Sequence, residues 1–589
     1  MSDVRDFLLE LGTEELPPKA LSTLSDALLK GIEKGLAAAE LSYSASKAYA
    51  SPRRLALVIT GLQTHQADRN VEKRGPAVTA GFDEDGNPTK ALQGFARSCG
   101  VEVDALETLE TDKGAWLVYR EKQSGQAATE LLPEIVKQAL AALPIPKRMR
   151  WGSLSEEFVR PVHWLILMLG DEIIPANLLG VQSNQLSYGH RFHHPQAIRI
   201  SSPQTYAPQL LSEGHVMVDF KERREAIRGQ VSELATQLGG QAIIDDELLD
   251  EVTGLVEWPV ALSGEFDKRF LELPSQALIS SMQGHQKYFP VEDAAGKLLP
   301  YFITVCNIES RDPAQVIAGN ERVILPRLSD AAFFWDTDRK RPLADRQEQL
   351  KTIVFQKQLG TVHDKSQRVA KLASFIAVNI GGDTALAARA AMLAKCDLVT
   401  EMVGEFPELQ GIMGSFYARL DGEQEELAMA MDEQYLPRFA GDVLPQGKTG
   451  QALSLAEKID TLCGLFGIGQ PPSGAKDPFA LRRAALGVLR IIIENDLDLD
   501  LAELLQQSVQ SYDQQLTETD IVEPVMQYLF DRLRGYAADA GHHGDVFEAV
   551  LALQPTRPLD FMHRMRAVSA FREMEQAEAL AAGNKRIDN

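Results

Sequence analysis

A chain of 589 residues exceeds what one hydrophobic core can organise, so roughly three to five domains are expected. Hydrophobic residues at 44% and charged residues at 24% exclude a disordered chain, and no apolar run approaches the roughly 18 residues a membrane span needs. A formal net charge of −23 argues against phosphate binding over the whole surface and confines any nucleic-acid contact to local basic patches.

The opening Met1-Ser2-Asp3-Val4-Arg5-Asp6 carries acids where a secretory signal carries bases, so a cytoplasmic location is expected. Leu21 to Glu40 has helical character, and Arg54 to Thr60 is an aliphatic run of strand type. A second helix is predicted from about Lys221 to Leu238, with strand-like runs at Pro259 to Leu262 and Tyr301 to Val305. The first half therefore reads as α+β. From about Arg339 onward, apolar residues recur three and four apart among Ala, Leu, Glu, Gln and Lys, which predicts a helical second half. In Leu481 to Ile493 the residues Leu481, Ala484, Ala485, Val488, Leu489 and Ile492 form one stripe, with Arg482, Arg483 and Arg490 mostly off it. Gly469 to Gly474 and Pro555 to Pro558 predict breaks, and Gly583-Asn584 would stop a helical run reaching Ala582.

Recognisable nucleotide motifs are missing: the sequence has no Walker A loop, no GxGxxG and neither signature pair of the first synthetase class. Gly441 to Thr449 imitates a phosphate loop but puts five residues between the glycines where four are required, one of them Pro445. His363-Asp364 with the later Asp397 resembles part of the metal core of HD-type phosphohydrolases, but no upstream histidine lies between His285 and His363. These three are weak metal candidates, and a metal-free helical scaffold is the favoured reading. His190, His193 and His194 lack nearby cysteines or acids at ligand spacing and read as a loop that meets RNA or a partner. The four widely spaced cysteines read as buried thiols.

Basic clusters carry more information. Arg53-Arg54, Lys73-Arg74 and Lys147-Arg148-Met149-Arg150 each stand beside a proline or glycine, and Trp151 offers a ring for an unpaired base. With Arg160 they form the candidate RNA-binding set: Arg53, Arg54, Lys73, Arg74, Lys147, Arg148, Arg150 and Arg160. The competing reading, that each cluster is a solvated turn or an internal ion pair with the surplus acids, stays open at this point.

Strings along the whole chain resemble bacterial glycyl-tRNA synthetase β subunits. Among them are Glu10-Leu11-Gly12-Thr13-Glu14-Glu15-Leu16-Pro17-Pro18, Ser51-Pro52-Arg53-Arg54-Leu55, Phe158-Val159-Arg160-Pro161-Val162-His163 and Gly189-His190-Arg191-Phe192. Further on come Val256-Glu257-Trp258-Pro259, Gln286-Lys287-Tyr288-Phe289-Pro290, Glu405-Phe406-Pro407-Glu408-Leu409-Gln410-Gly411 and Lys476-Asp477-Pro478-Phe479-Ala480-Leu481-Arg482-Arg483-Ala484.

The resemblance implies a partner of an α subunit in an α2β2 tetramer. The α subunit would hold the class II catalytic site with ATP and Mg2+, and this chain, without a catalytic residue or cofactor of its own, would bind and position tRNA(Gly). It also implies an arrangement: 1–200 α+β with the basic clusters, 201–335 α+β as part of a B3/B4-like body, 336–510 a degenerate HD-type helical domain, and 511–589 a helical linker to a truncated anticodon-binding domain. The rival readings are an HD-type metal-dependent phosphohydrolase and a purely structural assembly subunit.

Overall fold

The computed structural model describes residues 3–83, 87–111, 114–474, 476–512, 515–518 and 520–574. The chain divides into two compact units, Met1–Phe266 with Lys287–Glu321, and Asp267–Gln286 with Arg322–Asn589. Mixed α/β content with several sheets precedes a helical C-terminal half.

The first unit is organised by strand β1 (Val4–Thr13), which pairs antiparallel with β3 (Arg54–Gln63), itself paired with β2 (Ala45–Ser51). Three further strands, β4 (Arg69–Ala77), β5 (Glu107–Thr111) and β6 (Gly114–Gln123), form a separate small sheet in the order β4-β6-β5. The main sheet continues on the other edge of β1 with β7 (Val162–Leu169). Alternation along β1 sends Phe7, Leu9 and Leu11 to one face, where they meet Leu24, Leu28 and Ile32 of helix Leu21–Ala38 and Leu132 and Val136 of helix Ala128–Ala141. The opposite face carries Leu8, Ala56 and Ile166 against Tyr206, Leu210 and Val218. A sheet covered on both sides explains why Arg54 to Thr60 reads as a nearly continuous apolar run and not as an alternating one.

Gly12 lies between Arg54 on one neighbouring strand and Trp164 on the other. A Cβ there would fall 1.8 Å from the Trp164 ring, so the glycine is what allows the indole to lie across β1. A third sheet packs Phe289, Val291 and Ile303 against Ile227, Val231 and Ala235 of helix Phe220–Gln237. That helix starts at Asp219, whose carboxylate accepts from the amides of Lys221 and Glu222.

In the second unit, helix Lys448–Gly467 is buried nearly all round, as a helix surrounded by others must be. Its Asp460 accepts from Lys365 Nζ at 3.0 Å and Arg368 Nε at 2.9 Å, both on helix Val362–Asn379. The predicted stripe of helix Leu481–Glu494 is buried at Leu481, Ala485, Val488, Leu489 and Ile492, and the face widens to include Ile491 and Ile493. The helix stop at Gly583-Asn584 lies outside the described residues.

Candidate functional site

Glu10 is the consequence of the alternation in β1: it falls on a buried face between Leu8 and Gly12, where a lone carboxylate would be prohibitively costly. Arg54, on the next strand, answers it with Nη1 at 3.0 Å. The same guanidinium reaches Glu257 Oε1 at 3.2 Å and donates to the Tyr188 carbonyl at 2.9 Å, and Ser187 and Tyr206 add hydroxyl donors to Glu10. Arg53 completes the network, placing Nη2 3.0 Å from Glu257 Oε2 and 2.7 Å from the Gly189 carbonyl. Burial pushes the Glu257 carboxyl up, but Arg54 and Arg53 outweigh it and leave it below the usual carboxylate range.

This geometry corrects two members of the predicted tRNA-binding set. Arg54 is wholly buried with its guanidinium donors spent on internal carboxylates, hydroxyls and a carbonyl, and Arg53, at the edge of a cleft, commits Nε and Nη2 to Glu257 and the Gly189 carbonyl, so both hold the unit together. Trp151 is half-buried, packed against the first unit's core.

The other six stand at the surface or near it. Lys73 and Arg74 lie on β4, with the Arg74 guanidinium 4.0 Å from the centre of the Trp116 ring. Lys147 and Arg148 follow helix Ala128–Ala141, and Arg148 donates to the Ala141 carbonyl at 3.0 Å. Arg150 faces Glu157 at 3.4 Å. Arg160 donates Nε to the Glu15 carbonyl at 2.9 Å. Lys147, Arg148 and Arg160 converge on one groove of about 440 Å³ whose apolar wall includes Pro17, Leu24 and Ile145.

A neighbouring cleft of the same unit is lined by Glu14, Arg53, His163, Trp164, Tyr188 and Arg191. Glu14 accepts from Arg191 Nη2 at 2.9 Å and lies 3.0 Å from His163 Nε2, and the hydrogen bond from Arg191 holds its carboxyl low. Sequence reasoning singled out neither Glu14 nor Arg191. The adjacent Glu14-Glu15 pair beside a proline turn was the available signal.

His190 is wholly buried. Nε2 donates to the Asn307 carbonyl at 2.7 Å while Nδ1 accepts from the amides of Phe192 and His193, an arrangement that selects the neutral tautomer. Burial lowers its pKa in the same direction.

The weak metal candidates are separately committed. Asp364 closes a capping box at helix Val362–Asn379, accepting from the Thr361 amide and hydroxyl at 2.8 Å each. His363 Nε2 meets Gln367 at 3.1 Å. Asp397 is buried and accepts from the Gly411 amide, and burial pushes its carboxyl up to about 6. Among the described residues no three His, Cys, Asp or Glu side chains gather as a ligand set. The imitation phosphate loop is also occupied: the amides of Gln446 and Thr449 donate to Glu433 and Glu426, which leaves carboxylates where a phosphate would sit.

The family described as "Glycyl-tRNA synthetase beta subunit" matches residues 7–552. The chain belongs to this family. A glycine–tRNA ligase beta subunit of Hahella chejuensis is 58% identical over 585 residues, covering 99% of this chain and 84% of the relative. Those of Marinobacter nauticus and Chromohalobacter salexigens are 58% and 56% identical, each over 99% of this chain and 84% of their own length. The resemblance read from the sequence strings is thus correct, and the Glu10–Arg54–Glu257 network joins three of those strings in one structural core of this beta subunit family member. Among the described residues no helix is long and apolar enough to cross a membrane.

Proposed function

We propose that the chain works as the beta subunit of a glycine–tRNA ligase, in an α2β2 assembly whose alpha subunit carries the class II site and uses ATP and Mg2+. In that division of labour this chain binds tRNA(Gly) and brings its 3′ end to the alpha subunit, lowering the entropic cost of productive orientation. Family membership supports the ligase role, and the designation "beta" implies an alpha partner. The observation that carries tRNA positioning is the convergence of Lys147, Arg148 and Arg160 on a single groove, in a chain that is otherwise strongly acidic. We further assign the mixed segment 201–335 to a B3/B4-like body and the helices of 336–510 to a degenerate HD type, on the strength of the sequence resemblance. A cytoplasmic setting fits this role.

The test is glycylation of tRNA(Gly) by the alpha subunit alone, this chain alone and the two together. Activity confined to the mixture supports the proposal, and undiminished charging by the alpha subunit alone overturns it.

A further inference from the structure

The helical unit holds a cavity of about 500 Å³ that tRNA positioning does not require, a size typical of small-molecule sites. Its wall draws on five separate stretches of sequence, with Lys395, Arg438, Lys458 and Arg483 as cations and Glu408 and Glu457 as acids. The lining therefore carries four basic side chains against two acidic ones in a chain of net charge −23, with burial drawing the Lys458 ammonium down to about 7.

The cations are not equally available. Lys458 Nζ is surrounded by the Leu436 carbonyl and Ser454 hydroxyl at 2.7 Å and the Gln434 carbonyl at 3.2 Å, and Arg438 is paired with Asp432. Lys395 Nζ lies 3.5 Å from Glu457, 4.2 Å from the centre of the Tyr435 ring, and shares that glutamate with Lys365, also at 3.5 Å. Arg483 donates to the Arg438 carbonyl at 2.9 Å and has no carboxylate partner among the described residues. Two cations, Lys395 and Arg483, are thus left with positive charge that the protein does not fully answer.

Two buried polar atoms on the same wall lack partners as well. The Tyr435 hydroxyl, a donor, and Gln434 Oε1, an acceptor, have no hydrogen-bond partner among the described residues. Orphaned groups of this kind are rare in folded proteins and call for an occupant that supplies both an acceptor and a donor. Tyr435 and Phe479 give the cavity aromatic surface besides.

We propose that this cavity binds a small phosphomonoester bearing a flat, hydrogen-bonding ring, of the size of a nucleoside monophosphate. Its phosphate is held by Lys395 and Arg483, and its polar ring edge satisfies Tyr435 and Gln434. Inorganic phosphate alone would leave the aromatic wall and the Gln434 acceptor unused.

The experiment is calorimetric titration of the full chain with AMP, adenosine and inorganic phosphate, on the parent protein and on Arg483→Gln and Tyr435→Phe. Arg483→Gln removes the charge and keeps a polar end, Tyr435→Phe removes only the hydroxyl, and thermal melting checks that each folds. One AMP per chain is expected, with affinity reduced about tenfold or more in Arg483→Gln, the effect of removing one charge-assisted phosphate contact, and by a smaller factor in Tyr435→Phe. Adenosine and phosphate should each bind more weakly than AMP. Absence of AMP binding at millimolar concentration, equal binding by folded Arg483→Gln, or footprinting of a tRNA strand in the cavity that AMP fails to displace would each overturn the proposal.

Discussion

Arg54 and Glu257 face each other at 3.2 Å across 203 residues of sequence, with neither side chain open to solvent. Removing the guanidinium leaves two carboxylates, Glu10 and Glu257, buried against one remaining arginine. Arg54→Ala should therefore cost the first unit about 3–5 kcal/mol, the usual penalty for breaking a buried pair from one side. Urea denaturation followed by tryptophan fluorescence, to which four of the five tryptophans contribute from the first unit, reads this out, and a loss below about 1 kcal/mol would mean that the network is not integral to the unit.

The surface cations should behave differently. Lys147→Ala and Arg150→Ala, separately, should leave the melting temperature of the chain unchanged and weaken tRNA(Gly) binding severalfold. Each should reduce the slope of log affinity against log salt by roughly one unit, as expected for one lost phosphate contact. Filter binding between 50 and 200 mM salt, a range chosen to be wide enough to resolve such a slope change of about one, checks this. Unchanged slopes in both variants would remove the basic segment 147–150 from the RNA-binding surface.

Asp364 tests the reading of the His-Asp pair as helix chemistry. Asp364→Ala deletes half of the capping box at Thr361 and should destabilise the helical unit by about 1 kcal/mol. Asp364→Asn, still able to accept from the Thr361 amide, should recover most of that loss. Equal damage from both variants would show that the negative charge matters for something other than the cap.

Asp397 gives a pH signature. Its carboxyl titrates at about 6 in the fold, against 3.8 as the unperturbed value, so the native state holds its proton over that interval while the unfolded chain has released it. The stability it lends is complete below about pH 4, declines as pH climbs towards 6, and is flat above. Relative to the parent, Asp397→Asn should gain up to about 3 kcal/mol between pH 4 and pH 7, measured as the difference between the two unfolding curves. A difference that stays constant over this range would contradict the shifted titration.

The sequence made the elements legible wherever packing follows periodicity. Helix Leu481–Glu494 and the aliphatic run in β3 are examples, because burial of a stripe or of a whole strand writes itself into residue order. It could not tell Arg53 and Arg54 from Lys147 and Arg150. Whether a basic pair faces water or a buried acid depends on partners such as Glu257, which lies some 200 residues away and has no local signature. For the same reason the pairing of Glu14 with Arg191 was not legible, since their meeting is a tertiary event. That Asp267–Gln286 groups with the helical unit had no counterpart in composition.

The long reach of the Arg54 network also sets a timetable for biosynthesis. A ribosome adding roughly 5–20 residues per second needs on the order of 10–40 s after Arg54 emerges before Glu257 follows it. For that interval Arg54 has only Glu10 as its carboxylate, and Arg53 has none from this network. The N-terminal sheet is then a nascent structure in which the Arg54–Glu10 pair stands without its second carboxylate and Arg53 without any, and final closure of the first unit waits for the return of the chain at Lys287–Glu321.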